Sequence, residues 1–406
     1  MKPAKVCIIA KYLYPFDTRL SQQVNTLNAC GIPCDVICGG NGFQDTVERI
    51  KNVTIYRVYK KPATKQSFLV YLFTTFRFLA GAFLKLLTLS LRNNYKVIVV
   101  HTLPEFLVFI TAFNKLFGSF VVLDGRDLTV DLLYSRWKGK KIAIVKGVAV
   151  FLEKIIANFC DEIITASNGF KRSLVGRGVA EGKIKVLVNT ADESVFRFDR
   201  NRTFKPITEQ ARLIYHGTVS ERFGLLTAVK AMEKICKKIP GSTLHIFGYF
   251  DPVYRGRIEE YIDKADLYKN VQLFDPIGLD EVYKQVLTMD LGVVPYLSDD
   301  FMNLALSTKT FEYIASGLPV AASRLKSSEE LFDDSCIEYA EAGNADDLAD
   351  KVVNLCLTPE LRESKRNRAY SVFYNKFTSA AQNEKYVNLL APYLGIEDTV
   401  FVNASR

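Results

Sequence analysis

Ser307-Thr-Lys-Thr-Phe-Glu-Tyr-Ile-Ala-Ser-Gly-Leu-Pro-Val-Ala-Ala-Ser323 decides the reading of this chain. It divides into a loop, a short helix, a stop and a new strand. Ser307 or Thr308 caps the helix, and the residues that follow bring Lys309 and Glu312 close to its start. Gly317 suits the left-handed position after a helix, Pro319 forbids continuation, and Val320-Ala-Ala322 opens an extended run. A helix N-terminus presents unpaired backbone N–H groups and the positive end of its dipole, so phosphate is favoured there. Lys309 adds a full positive charge, and Glu312 offers acceptor oxygens to sugar hydroxyls.

Outward from this stretch, apolar strands alternate with helix-length segments. The first half has strands over 6–10, 33–37, 53–58, 97–101, 120–124, 162–166 and 184–187. The second half has them over 211–215, 242–247, 271–274, 291–295 and 320–322. This is the rhythm of parallel, doubly wound sheets, so the fold class is α/β. A polar stretch over 189–203, with little periodicity, marks the boundary. Two Rossmann-like domains facing each other across a cleft are expected, with ligand at the carboxyl ends of the strands.

The motif Lys-x-Phe-Glu-Tyr-x-Ala-x-Gly-x-Pro-Val over 309–320 resembles the donor-nucleotide motif of GT-B glycosyltransferases, especially the retaining group called glycosyltransferase family 4. The resemblance covers roughly residues 4–395 and is stronger in the second half. It implies an acceptor-side domain over 1–190, a nucleotide-sugar domain over 204–376, and a C-terminal helix over 377–406 that crosses back to the first domain.

Tyr215-His-Gly-Thr-Val-Ser-Glu-Arg-Phe-Gly224 sits where the family places a Gly-rich turn and two basic residues on the donor pyrophosphate. Here Thr218 and Phe223 stand at the family's basic positions, and Arg222 is displaced by one residue. Many members also carry a second Glu eight residues before Glu312, where this chain has Leu304. The resemblance implies donor contacts from Gly217, Thr218, Gly248, Asn303, Thr308 and Glu312, with Arg222 and Lys309 on the leaving diphosphate. His216 and His245 read as strand residues in apolar surroundings. In the first half, His101 ends a strand and matches a family His near the donor sugar. A purely structural hydrogen-bonding role for it stays open. Arg19, Arg126 and Asp127 match acceptor-side positions, although Arg126 and Asp127 also read as a pair that orders a loop. No metal or other cofactor is expected: GT-B enzymes neutralise the leaving diphosphate with basic groups and helix dipoles.

The formal net charge is +9, which favours anionic partners: nucleotide sugars, phosphorylated acceptors and anionic membrane. No nucleic-acid signature accompanies it. Cys30, Cys34 and Cys38 recur every four residues, but a helix end, a turn and a strand read better there than a metal site. The N-terminus runs directly into a buried strand with no secretory pattern, so a cytoplasmic protein is expected.

Residues 68–91 carry only Arg77 and Lys85 as charges. Thr74, Arg77, Gly81, Lys85, Thr88 and Arg92 form one narrow stripe on a helix whose remaining arc is Phe and Leu. Such a helix covers a sheet and something else as well, either a neighbouring helix or an acyl layer. Arg136-Trp-Lys-Gly-Lys-Lys141 adds a basic, aromatic cluster that favours anionic lipid. The expected activity is transfer of a hexose, with retention, from a nucleoside-diphosphate sugar to a glycan or glycolipid. The alternatives are a catalytically silent GT-B protein that binds glycan or lipid, and a nucleotide-sugar epimerase on the same plan.

Overall fold

The computed structural model describes residues 4–60, 68–126, 128–136 and 143–396. It divides the chain into two units: Met1–Val188 with Gln382–Arg406, and Asn189–Ala381.

The first unit is built on an eight-stranded sheet. In chain order its strands are β1 (Ala4–Leu13), β2 (Cys34–Gly40), β3 (Val47–Ile50), β4 (Val53–Lys60), β5 (Asn94–His101), β6 (Phe120–Gly125), β7 (Glu162–Thr165) and β8 (Ile184–Val186). The spatial order is β3-β4-β2-β1-β5-β6-β7-β8. All neighbours run parallel except β3, which pairs antiparallel with β4 at the edge. Every residue of β2 is buried, as are all but the first and third of β5. That continuous burial is why these strands read as unbroken apolar runs, since helices cover both faces of a parallel sheet.

The second unit has six parallel strands: β9 (Arg212–Val219), β10 (Thr243–Phe250), β11 (Val271–Phe274), β12 (Leu291–Val294), β13 (Val320–Ser323) and β14 (Glu338–Ala340). Their order is β11-β10-β9-β12-β13-β14. Strand β9 runs four residues beyond the expected 211–215, which carries His216, Gly217 and Thr218 into its carboxyl end. The short edge strands β3 and β14 were not anticipated.

The division falls at 188/189, at the start of the stretch 189–203 expected to hold the boundary, and the stretch itself belongs to the second unit. Phe196 is buried, and Phe198 packs on the Tyr370 ring at 3.8 Å. A Cβ on Gly317 would lie 2.9 Å from Phe198. The polar residues around Phe196 and Phe198 hid an anchored segment. The expected break at 377 also shifts, to 381/382. Phe377 stays with the second unit because its ring packs on Phe311 and Phe332. Within the helix Ser379–Leu394, Tyr386, Val387, Leu390 and Leu394 join the core of the first unit beside Val6, Ile8 and Val36. Each such burial stabilises by about 1.5–3 kcal/mol.

Cys34 and Cys38 are buried in β2, and Cys30 caps the helix Thr18–Ala29. Burial pushes the Cys38 thiol up to about 12, so the protonated form, a poor ligand, dominates at neutral pH. Among the described residues, no group of three His, Cys, Asp or Glu is placed to hold a metal.

Candidate functional site

In the second unit the helix Thr308–Ala315 forms as its sequence predicts and stops as predicted. Gly317 has φ +70°, its N–H bonds the Ile314 carbonyl at 2.9 Å, and the Leu318 N–H bonds the Tyr313 carbonyl at 2.9 Å. Those two bonds satisfy the last carbonyls and fix the turn into β13. The other end departs from expectation. Ser307 occupies the cap position, but its Oγ donates to the Tyr296 hydroxyl (3.1 Å) and makes no cap bond. The first-turn N–H groups are therefore not consumed by a side-chain cap, which suits an anion.

Lys309 projects from this first turn toward the end of β9. A Cβ on Gly217 would lie 2.7 Å from Lys309 Cε, and the positive φ there is one that other residues rarely adopt, so glycine leaves Lys309 its place. Gly217 has φ +107° and pairs with Gly248 on β10, where a Cβ would lie 2.0 Å from the Gly217 oxygen. The ammonium donates to the Tyr296 hydroxyl at 3.1 Å. It lies 5.1, 5.5 and 5.7 Å from the ring centres of Tyr215, Phe223 and Tyr296. Aromatic faces attract a cation without neutralising it. Among the described residues no carboxylate pairs with Lys309, so its full charge remains for a ligand.

Glu312 lies one turn further on. His216 Nε2 meets Glu312 Oε2 at 2.6 Å, and His216 Nδ1 meets the Tyr313 hydroxyl at 3.0 Å. A carboxylate only accepts, so Nε2–H of His216 donates to Glu312, and the Tyr313 hydroxyl, which also lies 3.3 Å from the Ile214 carbonyl, holds the other side of the ring. This chain of bonds fixes Glu312 and leaves its second oxygen for a ligand. His216 was read as an apolar strand residue. The missed signal is its place immediately before Gly217, at the strand's carboxyl end. Tyr296, which bonds both Ser307 and Lys309, was also missed.

Arg222 lies in a single 3-10 turn, Glu221–Phe223, directly after β9. Its Nη2 is 3.5 Å from Asp299 Oδ2, and the guanidinium sits 5.0 Å over the Phe301 ring. This arrangement fastens the turn to the loop after β12 and keeps Arg222 near Lys309's aromatic walls. Thr218 and Thr308 are exposed, and Gly248 is buried. Asn303 departs from its expected sugar contact. Its amide donates to Ser298 Oγ (2.8 Å) and the Asp299 carbonyl (3.0 Å), and its Oδ1 accepts from the Lys326 N–H (3.2 Å). The side chain is spent on tying loops together.

The first unit gathers a different cluster. Arg19 pairs with Asp124 through Nε (3.0 Å) and Nη2 (2.8 Å). Gln23 donates to the same carboxylate at 2.6 Å, and its Oε1 accepts from His101 Nε2 at 2.9 Å. Arg126 Nη2 donates to His101 Nδ1 (2.9 Å), and its guanidinium pairs with Asp17 at 2.7 Å. Asp17 Oδ1 in turn caps the helix Thr18–Ala29 through the Leu20 N–H. Burial lowers His101 to about 3, so the ring is neutral. Burial alone would raise Asp124, but Arg19, the other groups facing the carboxyl and the Gln23 hydrogen bond together outweigh it and hold the carboxyl below its usual range.

The expected catalytic contact from His101 is corrected on this geometry. The side chain is fully buried and both ring nitrogens are engaged by protein. Arg19 likewise serves the interior. Arg126 is partly exposed and sits 4.6 Å over the Tyr12 ring. Asp127 and residues 137–141 of the basic cluster lie outside the described residues.

Comparison with known proteins agrees with this geometry. A family model, Glycosyl transferases group 1, matches residues 210–357, the stretch that holds His216, Lys309 and Glu312. No curated protein sequence matches the chain. Among solved structures, sucrose-phosphate synthase from Thermosynechococcus elongatus is similar at TM-score 0.76 and 16% identity, covering 96% of this chain and 99% of that one. Anabaena HepE in complex with UDP and glucose is similar at TM-score 0.72 and 12% identity, covering 96% and 100%. Trehalose 6-phosphate synthase from Burkholderia multivorans is similar at TM-score 0.68 and 11% identity, covering 97% of each. The fold is therefore that of the GT-B glycosyltransferases: α/β, with two mostly parallel sheets.

Proposed function

We propose that the chain is a retaining hexosyltransferase that uses a nucleoside-diphosphate sugar and acts on a hydroxyl of a glycan or glycolipid. The observation that carries this reading is the helix start at 308–310, with Lys309 unpaired beside Gly217 and Glu312 fixed by His216. The diphosphate sits on the first-turn N–H groups and on Lys309. Charge builds on its leaving oxygen as the glycosidic bond breaks, and these preorganised groups stabilise that charge more than the ground state. The free oxygen of Glu312 accepts from a hydroxyl of the donor. No divalent cation enters this scheme, because Lys309, Arg222 and the helix dipole supply the positive charge. The net charge of +9 and the apolar helix Phe68–Ser90 support action at the cytoplasmic face of an anionic membrane.

HepE is described with UDP-glucose, so UDP-glucose is the first donor to test. Calorimetric titration with UDP, ADP and GDP sugars should give one site that Lys309→Ala weakens. Binding of none of them, with the fold intact, would remove this reading. A second reading, a binding protein without turnover, is favoured by the closed state of His101. Release of nucleoside diphosphate in the presence of acceptor separates the two.

A further inference from the structure

The helix Phe68–Ser90 packs in an unusual sense. Its buried side chains are Thr74, Thr75, Phe78, Ala82 and Leu86, whereas Leu69, Leu72, Phe73, Phe76 and Leu84 are exposed. Part of the small and polar stripe faces inward, with Thr74 buried, Gly81 against Val58 of β4 and Lys85 4.9 Å over the Tyr56 ring, while Arg77 and Thr88 stay exposed at its edge. The larger apolar arc is thereby left outside. Two neighbouring segments continue it. The 3-10 helix Glu105–Thr111 exposes Phe106 and Phe109. The helix Ala143–Phe159 exposes Ile144, Val148, Phe151, Leu152 and Ile155. Soluble monomers rarely expose so continuous an apolar surface without a partner for it.

A cavity of about 480 Å³ opens into this face. That volume lies in the range of about 300–1,000 Å³ typical of small-molecule pockets. Its mouth is formed by Leu72, Phe106 and Leu152, each about half exposed, and its floor by buried Leu123, Ile163 and Leu174. Two carboxylates stand in the wall, and both are already satisfied. Glu105 accepts from the Thr129 N–H (2.9 Å) and hydroxyl (2.7 Å), and Glu153 pairs with Arg177 at 2.5 Å. The rest of the lining is predominantly aliphatic and aromatic, and a cavity of this kind favours hydrocarbon.

We propose that this cavity holds one hydrocarbon chain of an anionic membrane lipid, drawn in through an apolar face that seats on the bilayer. A bilayer supplies both things the surface lacks: a broad apolar layer for the exposed side chains and a slender chain for the slot. The charges agree, since the helix Phe68–Ser90 exposes Arg77 and carries no acid. Cations beside an inserted apolar face attract anionic headgroups. The inference rests on the membrane reading above and is independent of the donor site.

Two measurements on the full chain separate the seat from the slot. Sedimentation with phosphatidylcholine vesicles, with and without phosphatidylglycerol, reads the seat. Fluorescence titration with cis-parinaric acid, without vesicles, reads the slot. Wild-type protein should bind the anionic vesicles, less so at high salt, and should bind one parinarate chain per monomer. Ala149→Phe fills the slot and should weaken parinarate binding by about tenfold or more. It should leave vesicle binding in place. Leu152→Asp at the half-exposed mouth should weaken both and, being at the surface, should fold. Leu72→Asp with Phe76→Asp should abolish vesicle binding. Parinarate binding that survives both Ala149→Phe and Leu152→Asp would overturn the slot, as would vesicle binding with no parinarate binding at all. A wild-type dimer in sedimentation analysis that neither vesicles nor parinarate dissociate would overturn the proposal in favour of a second copy on this face.

Discussion

Each unit places a histidine, a cation and a carboxylate at its strand ends, and the two units use them in opposite ways. In the first, Arg19, Asp124, Gln23, His101, Arg126 and Asp17 form one nearly closed chain of bonds, in which Arg126 Nε is left without a hydrogen-bond partner among the described residues. In the second, the His216–Glu312 pair holds one carboxylate oxygen and leaves the other, and Lys309 meets only a hydroxyl and ring faces. Residue type alone does not mark a binding site. What marks it is bonding capacity held in place and left unspent, whereas a network spent almost wholly on itself is architecture.

The largest effect should come from opening the first cluster. Asp124→Asn leaves the Arg19 guanidinium buried without its anion. Breaking a buried pair by removing one member costs about 3–5 kcal/mol. Urea unfolding followed by circular dichroism should show that loss, while calorimetry shows unchanged donor affinity in whatever fraction remains folded. A loss below about 1 kcal/mol would break the contrast, because the cluster would then not be holding the fold.

At the open site the effect should fall on turnover and spare stability. Lys309→Ala should lower kcat about 10²–10³-fold, as removal of one preorganised donor does elsewhere. Its melting temperature should stay near that of the parent, since no protein charge depends on Lys309. A folded variant with near-normal kcat would refute the assignment to the leaving group.

A smaller effect is expected for the pair. Glu312→Gln keeps the shape but removes the charge from its hydrogen bonds, each worth about 1.5–3 kcal/mol. Donor affinity by calorimetry should drop by one to two orders of magnitude, about the same energy. His216→Phe should give part of that loss by releasing Glu312. If His216→Phe binds donor as the parent does, the histidine does not position the carboxylate.

Much of the second unit was legible because its signals are local. Gly317 and Pro319 lie within a few residues of the helix they end, and the motif over 309–320 carried Lys309 and Glu312 with it. His216 was not legible, because its partner comes from 96 residues away. Within Ile214-Tyr215-His216 nothing distinguishes a core histidine from one that faces a carboxylate. The anchoring of segment 189–203 was not legible for a related reason: two rings, Phe196 and Phe198, hold it despite its polar residues once their pockets exist. Asn303 failed because its loop partners, Ser298 and the Lys326 N–H, are set by tertiary packing. On the helix Phe68–Ser90 the stripe was legible, but which side met the sheet was not. Periodicity gives the faces of a helix and does not say which one turns inward.

The smallest effect, and the one that tests how fully the first cluster is closed, is pH dependence. His101 is held neutral in the fold, with burial lowering it to about 3 from 6.5. Above about pH 6.5 both folded and unfolded forms are neutral, and the group adds no pH dependence. Below that, the unfolded chain binds a proton that the folded chain refuses, so stability falls as pH falls toward 3. Between about pH 7 and 5.5 the loss from one such histidine is roughly 1 kcal/mol. Asp17 and Asp124 are held below their usual range, so their own losses begin only nearer pH 4. His245 is lowered in the same direction by burial and belongs to the second unit, so it persists as a background in any variant of the first. His101→Asn should therefore flatten the dependence between pH 7 and 5.5 without removing it, whatever its effect on stability at pH 7. Denaturant titrations at both pH values give the two slopes directly. Equal slopes in parent and variant would mean that His101 takes up its proton in the folded state, and so that the cluster opens to water.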